Sequence, residues 1–194
     1  FLLWSALGAV YVVVIVFVQQ TLHSATKDLG LLIMFLGIGL FSGSLLYGRF
    51  GQKISHFKII FACLVLSGIM LVVFALGIAH FPSFFVAAVL SCVLGITIAP
   101  IMIASNTIIH NASENHMMGK IFSSLEIVMH LGFLLFMFLG SLLAERFSHE
   151  TILIAIGCII CVLGATQLIM QHKIGWRFQD TLFKYTTNDS PRRT

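Results

Sequence analysis

Apolar residues run along this chain in six long blocks, at about 1–18, 29–47, 59–79, 84–106, 121–143 and 152–170. Each block is close to the ~20 residues a helix needs to cross a bilayer core. In hydrocarbon every backbone N–H and C=O must be bonded within the segment, which leaves the helix as the form such a block takes. One block alone also fits a buried helix of a water-soluble protein; six in succession do not. The segments between them are short and hold nearly all the polar and charged residues. The pattern predicts an all-α integral membrane protein, with a six-helix bundle over residues 1–170 and a polar, basic tail over 171–194.

Composition narrows the function. Of 194 residues, 59% are hydrophobic and 9% charged, against roughly 25% charged in an average soluble domain. Too few charges are present to cover a water-exposed surface, so a soluble enzyme, a disordered chain and a nucleic-acid-binding module are excluded. The first block has no basic segment before it and no small-residue cleavage site after it, so it reads as a mature span and not as a secretory signal. The chain opens on Phe1, already inside that block, and we expect it to be part of a longer protein.

Charge placement sets the orientation. Arg49, Lys53, Lys58, Lys120, Lys173, Arg177, Lys184, Arg192 and Arg193 fall on one side, nine of the eleven Lys and Arg. Only Lys27 and Arg146 fall on the other. Cytoplasmic loops carry the excess of Lys and Arg, so the basic loops and the C-terminus are expected in the cytoplasm. The net charge of +4 is then a topology signal with a weak attraction to anionic lipid, and not a sign of nucleic acid. Within 174–185, Trp176, Phe178, Leu182 and Phe183 alternate with Arg177 and Lys184, a pattern that can lie along lipid headgroups or remain disordered.

No motif for hydrolysis or phosphate binding occurs: there is no H-E-x-x-H, no G-x-S-x-G and no glycine loop with its Lys. Cys63, Cys92, Cys158 and Cys161 all lie in apolar blocks and read as small packing residues, the C-x-x-C spacing of the last two included. His110, His116, His149 and His172 sit near block ends as interfacial groups. No metal site, cofactor or enzymatic activity is expected.

An ionisable group inside a membrane is costly and marks function. Glu126 and His130 lie well inside the fifth block, four apart and therefore on one helical face. Glu126 is five residues past Ile121, roughly 7–8 Å along the axis, in the cytoplasmic third of the bilayer. Two readings stand. Either the pair passes protons and couples a gradient to transport, His titrating near neutral pH, or Glu126 pairs with a basic group on a neighbouring helix and His130 is a hydrogen-bonded packing residue. In the fourth block Pro100 removes a backbone donor and interrupts straight helix, either as a purely structural kink or as part of a transport pathway. Thr97 and Asn106 beside it, with Gln19 and Gln20 of the first block, are candidate cavity-lining groups. Gly39 and Gly43 form G-x-x-x-G and predict close helix packing.

Two stretches carry a resemblance. The loop Ser44-Leu45-Leu46-Tyr47-Gly48-Arg49-Phe50-Gly51-Gln52-Lys53 resembles the major facilitator superfamily signature G-x-x-x-D-R-x-G-R-R/K. Arg49, Gly51 and Lys53 match; Ser44, Gly48 and Gln52 replace its first Gly, its Asp and a basic residue. Pro100, Asn106-Thr107, Ser113-Glu114-Asn115 and Met118-Gly119-Lys120-Ile121-Phe122-Ser123 are similar to the junction of the tenth and eleventh helices in bacterial efflux members, P-E-x-x-R-G-R-V-F-S. The resemblance implies that residues 1–170 are helices seven to twelve, one half of a twelve-helix transporter of the bacterial inner membrane. Its partners would be the N-terminal six-helix half, membrane lipid and a small-molecule substrate held between the halves. A basic residue of the other half would then meet Glu126 as an interdomain latch. The expected function is proton-coupled export of amphipathic or drug-like molecules. A lipid or lysophospholipid translocator and a non-transporting scaffold or receptor on the same bundle are the alternatives.

Overall fold

The computed structural model describes residues 1–22, 26–51, 55–112 and 118–173. They form six helices: α1 (Leu2–Leu22), α2 (Thr26–Phe50), α3 (His56–His80), α4 (Phe84–Ala112), α5 (Met118–Ala144) and α6 (His149–Lys173). Each contains a segment long and apolar enough to cross a membrane. The expected all-α bundle of six spans is therefore the architecture found. The helices run past the apolar blocks, most of all α4, whose 29 residues span roughly 43 Å at 1.5 Å per residue. Backbone bonding continues where the side chains turn polar, because the helix needs no hydrocarbon to persist once started. Helix α6 continues through Lys173, into the first residues of the expected tail. The rest of it, with Lys53 and the 113–117 connection, lies outside the described residues.

Local chemistry sets the turns. Between α3 and α4, Pro82 cannot continue a helix, and the Phe81 N–H bonds the Gly77 carbonyl to close the last turn of α3. At the start of α6 the Ser148 hydroxyl accepts the Thr151 N–H at 3.4 Å, the bond of an N-cap.

The helices pair α1 with α5, α2 with α4 and α3 with α6, while α3 also packs on α4 and, less extensively, α1 on α6. Exchanging the first three helices for the last three leaves this pattern unchanged. Close approach comes from glycine in each main pair. A Cβ on Gly39 would collide with the Cys92 carbonyl, and one on Gly43 would sit 2.6 Å from the Ile96 oxygen. Gly8 meets the Phe133 backbone across α1 and α5, and Gly68 meets Gly157 across α3 and α6. Lipid offers no hydrophobic drive for association, so such backbone contact supplies the attraction.

The apolar core gathers at one end. Val13, Phe17 and Val18 from the second half of α1 meet Leu71, Phe74, Ala75 and Ile78 from the second half of α3, with Leu32, Ala87, Ala88, Ile152 and Leu153 from helix starts. That is the end opposite Arg49, Lys58 and Lys120. At the basic end a groove lies between α4 and α5. Much of the apolar surface of α2 and α5 stays uncovered, including Ile33, Phe41, Leu131 and Phe138.

Candidate functional site

The fifth helix carries the ionisable candidates, Glu126 and His130. Ser123, Glu126 and His130, spaced three and four apart, share one face and are all exposed. Ser123 returns its hydroxyl to the Lys120 carbonyl at 3.1 Å. The His130 ring bonds the main-chain carbonyl of Glu126 through Nδ1 at 2.8 Å. A carbonyl only accepts, so Nδ1 carries a proton. Glu126 and His130 thus share a face, as their spacing requires, but are joined through backbone and not through the carboxylate. Among the described residues the carboxylate has no hydrogen-bond or ion-pair partner.

Above this pair, aromatic rings of α1 and α5 interleave. Trp4 lies 5.4 Å from the His130 ring at 40° and meets Phe133 edge-on at 6.4 Å. Tyr11, 54% exposed, meets the other side of Phe133 at 5.8 Å. Gly8 makes this possible by letting the α1 backbone touch that of α5. None of Trp4, Tyr11 or Phe133 stands out in the sequence, since aromatic residues are common in every block. Their only linear signal is the Trp4–Gly8–Tyr11 spacing, which puts two rings and the gap between them on one helical face.

At the basic end a groove of about 390 Å³ opens between α4 and α5, lined by Asn106, Thr107, His110, Asn111 and Phe122. Thr107 returns its hydroxyl to the Ile103 carbonyl; Asn106, His110 and Asn111 are exposed. Phe122 precedes Glu126 by one turn on α5. A second groove, about 240 Å³ and wholly apolar, lies between α2 and α4 against Phe35, Phe85, Ala88, Val89, Cys92 and Val93.

The remaining candidates scatter. Asn106 enters the first groove, whereas Gln19 and Gln20 are exposed at the opposite end of α1. Thr97 is 4% exposed and donates its hydroxyl to the Leu94 carbonyl at 2.8 Å. Pro100 sits inside an unbroken α4. The carbonyl it deprives of a partner, four residues back, belongs to Ile96, and Gly43 of α2 approaches that same oxygen. Two features separate in the sequence are one contact in the fold.

The loop after α2 is held by Tyr47. Its hydroxyl lies 2.7 Å from Nδ1 of His56 at the start of α3, and a Cβ on Gly51 would come within 2.6 Å of its ring. Ser44 returns its hydroxyl to Phe41, and Arg49 is exposed. A Cβ on Gly48 would meet nothing within 4 Å, so an Asp would fit there. No cluster of three His, Cys, Asp or Glu that could hold a metal is found among the described residues.

No curated protein and no solved structure matches this chain. The model of the Major Facilitator Superfamily matches residues 1–173, which takes in all six helices, both grooves and the Glu126 face. The chain is therefore a multi-pass membrane protein and belongs to the major facilitator superfamily of transporters.

Proposed function

We propose that the chain is the C-terminal six-helix half of a twelve-helix secondary transporter that exports small amphipathic molecules by alternating access, driven by the proton gradient. The observation that carries this reading is the uncovered face of α5. It holds the one carboxylate set well inside a span among the described residues, and such a group marks a pathway or a coupling site. The groove lined by Asn106 and His110 at the basic end supports a cytoplasmic mouth beside α5. Gln19, Gln20 and Asn106 line the pathway in this proposal, and Thr97 and Pro100 shape α4 beside it.

Glu126 acts as the latch and His130 as its neighbour in coupling. With the halves closed at the cytoplasmic side, a basic residue of the other half pairs with Glu126; protonation or substrate releases it. The charge distribution supports a cytoplasmic C-terminus, and the resemblance to bacterial efflux members supports the bacterial inner membrane. The test is pH-gradient-driven efflux by the full-length protein in inverted vesicles. Glu126→Gln is expected to abolish gradient dependence at unchanged expression, and unchanged efflux overturns both roles of the residue. A non-transporting scaffold would give no gradient-driven flux with any substrate.

A second reading, a lipid or lysophospholipid translocator, is favoured by the apolar groove between α2 and α4, which suits an acyl chain. Flux of fluorescent lysophospholipid that Val89→Trp blocks, with drug efflux absent, decides for it.

A further inference from the structure

We infer that α1 and α5 form a lever inside the bundle: a rigid pair anchored at the end opposite Arg49 and Lys120, whose tilt widens and narrows the groove between α4 and α5. This motion lies within one six-helix unit, and its test is independent of what the chain transports.

The pair is locked within itself. Gly8 brings the α1 backbone onto that of Phe133, and a Cβ on Gly140 would stand 2.5 Å from the Ala9 oxygen. One on Gly132 would stand 2.6 Å from the Phe1 ring. Trp4 and Tyr11 both meet the Phe133 ring. Backbone contact of this kind is what holds helices together in lipid, so the two helices move as one body.

Outside the pair, α5 is held by little. Its two buried residues, Gly132 and Gly140, are the ones that face α1. Among the described residues α5 packs slightly on α6 and makes at most isolated contacts with α2, α3 and α4. Helix α1 adds a modest contact with α6 and slight ones with α2 and α3. The counterpart pair behaves differently. Exchanging the first three helices for the last three turns α1–α5 into α4–α2, and α4 packs broadly along α3. One seam is thus built into the bundle and its counterpart is only lightly attached to it.

The attachment that exists is concentrated at one end. Val13, Phe17 and Val18 of α1 enter the buried cluster with Leu71, Phe74, Ile78 and Leu153, and Ala144 in the last turn of α5 packs against it. Before Ala144, α5 contributes nothing to that cluster. At the other end Phe122 faces Asn106 and His110 of α4 across the groove. Phe122 lies roughly 33 Å along the helix from Ala144, so a tilt of about 10° moves it by about 6 Å. Tilting gives apolar α5 surface to lipid, which solvates it as well as another helix does. Hydrophobic burial therefore favours neither position, as a hinged element with two accessible positions requires. Glu126 and His130 are carried with the lever.

The test is double electron–electron resonance on spin-labelled full-length protein in nanodiscs, with the native cysteines replaced and all labels at exposed positions. Asn111→Cys with Ser123→Cys reads across the groove and is expected to give two distances several ångströms apart. Leu2→Cys with Leu135→Cys reads within the pair, and Phe85→Cys with Leu142→Cys reads across the anchored end; each is expected to give one narrow distance. Adding Phe17→Ala, which cuts into the anchor, is expected to broaden the Phe85–Leu142 distance. A single narrow distance across the groove overturns the lever. So does a Leu2–Leu135 distance as broad as the one across the groove, since α1 and α5 would then move separately. An unchanged Phe85–Leu142 distance in the Phe17→Ala protein overturns the anchor, and with it the lever.

Discussion

Tyr47 stands where α2 gives way to the signature loop, and its two contacts explain how the loop is held without the family's Asp. The hydroxyl reaches His56 across the turn, and the ring occupies the space that a side chain at position 51 would need. Tyr47→Phe keeps the ring and loses the hydrogen bond, a cost of about 1 kcal/mol. It should lower the unfolding midpoint in detergent by a few degrees. Gly51→Val should cost more, about 1–3 kcal/mol, because a buried ring has to move. Gly48→Asp is expected to leave the midpoint unchanged, since the position faces open space. A large fall there would mean that a neighbouring group fills the space beside Gly48. The same thermal unfolding series reads all three.

At the scale of elements, the α2–α4 seam joins two unlike features. Pro100 frees the Ile96 carbonyl, and Gly43 brings its backbone onto that oxygen. A Cα–H contact of this kind is worth perhaps half a kcal/mol to one, but it also lets the helices lie close along their length. Gly43→Val should therefore push α2 from α4 at a cost of roughly 1–3 kcal/mol, while Gly37→Ala, with nothing within 4 Å, should be neutral or slightly stabilising. Pro100→Ala restores an N–H to Ile96 and draws its oxygen back into the helix. A double-mutant cycle between Gly43→Ala and Pro100→Ala is expected to show coupling of at least about 0.5 kcal/mol. Additive effects would mean that the two residues act separately.

Across the whole molecule, the buried apolar cluster lies toward one end and the groove between α4 and α5 at the other. Asn106 and His110 line that groove, and Gln19 lies at the opposite end. With the native cysteines replaced, Asn106→Cys and His110→Cys should react with a membrane-impermeant maleimide from the cytoplasmic side, and Gln19→Cys from the opposite side. Labelling of all three from one side would overturn the orientation.

How much of this was legible beforehand depends on the range of the physics. The six helices could be read because hydrophobic length is a local property. Their ends could not, because Thr107, His110 and Asn111 prolong α4 by backbone hydrogen bonds that ignore side-chain polarity. That Glu126 and His130 share a face of α5 was legible, since a charged group in an apolar run is conspicuous and a four-residue spacing sets a shared face. Their bond through the backbone carbonyl was not foreseen. Trp4, Tyr11 and Phe133 were missed because nothing in an apolar block distinguishes a ring that faces lipid from one that faces another helix.

The chain by itself determined that there are six membrane-crossing helices, which loops are basic and which span carries an acid. Each follows from backbone bonding and solvation, both decided residue by residue. Only the tertiary structure decided which faces meet. In lipid that choice rests on a few backbone contacts at glycine, such as Gly43 on Ile96 and Gly8 on Phe133. It turned a lone carboxylate, a histidine and three scattered rings into one continuous wall.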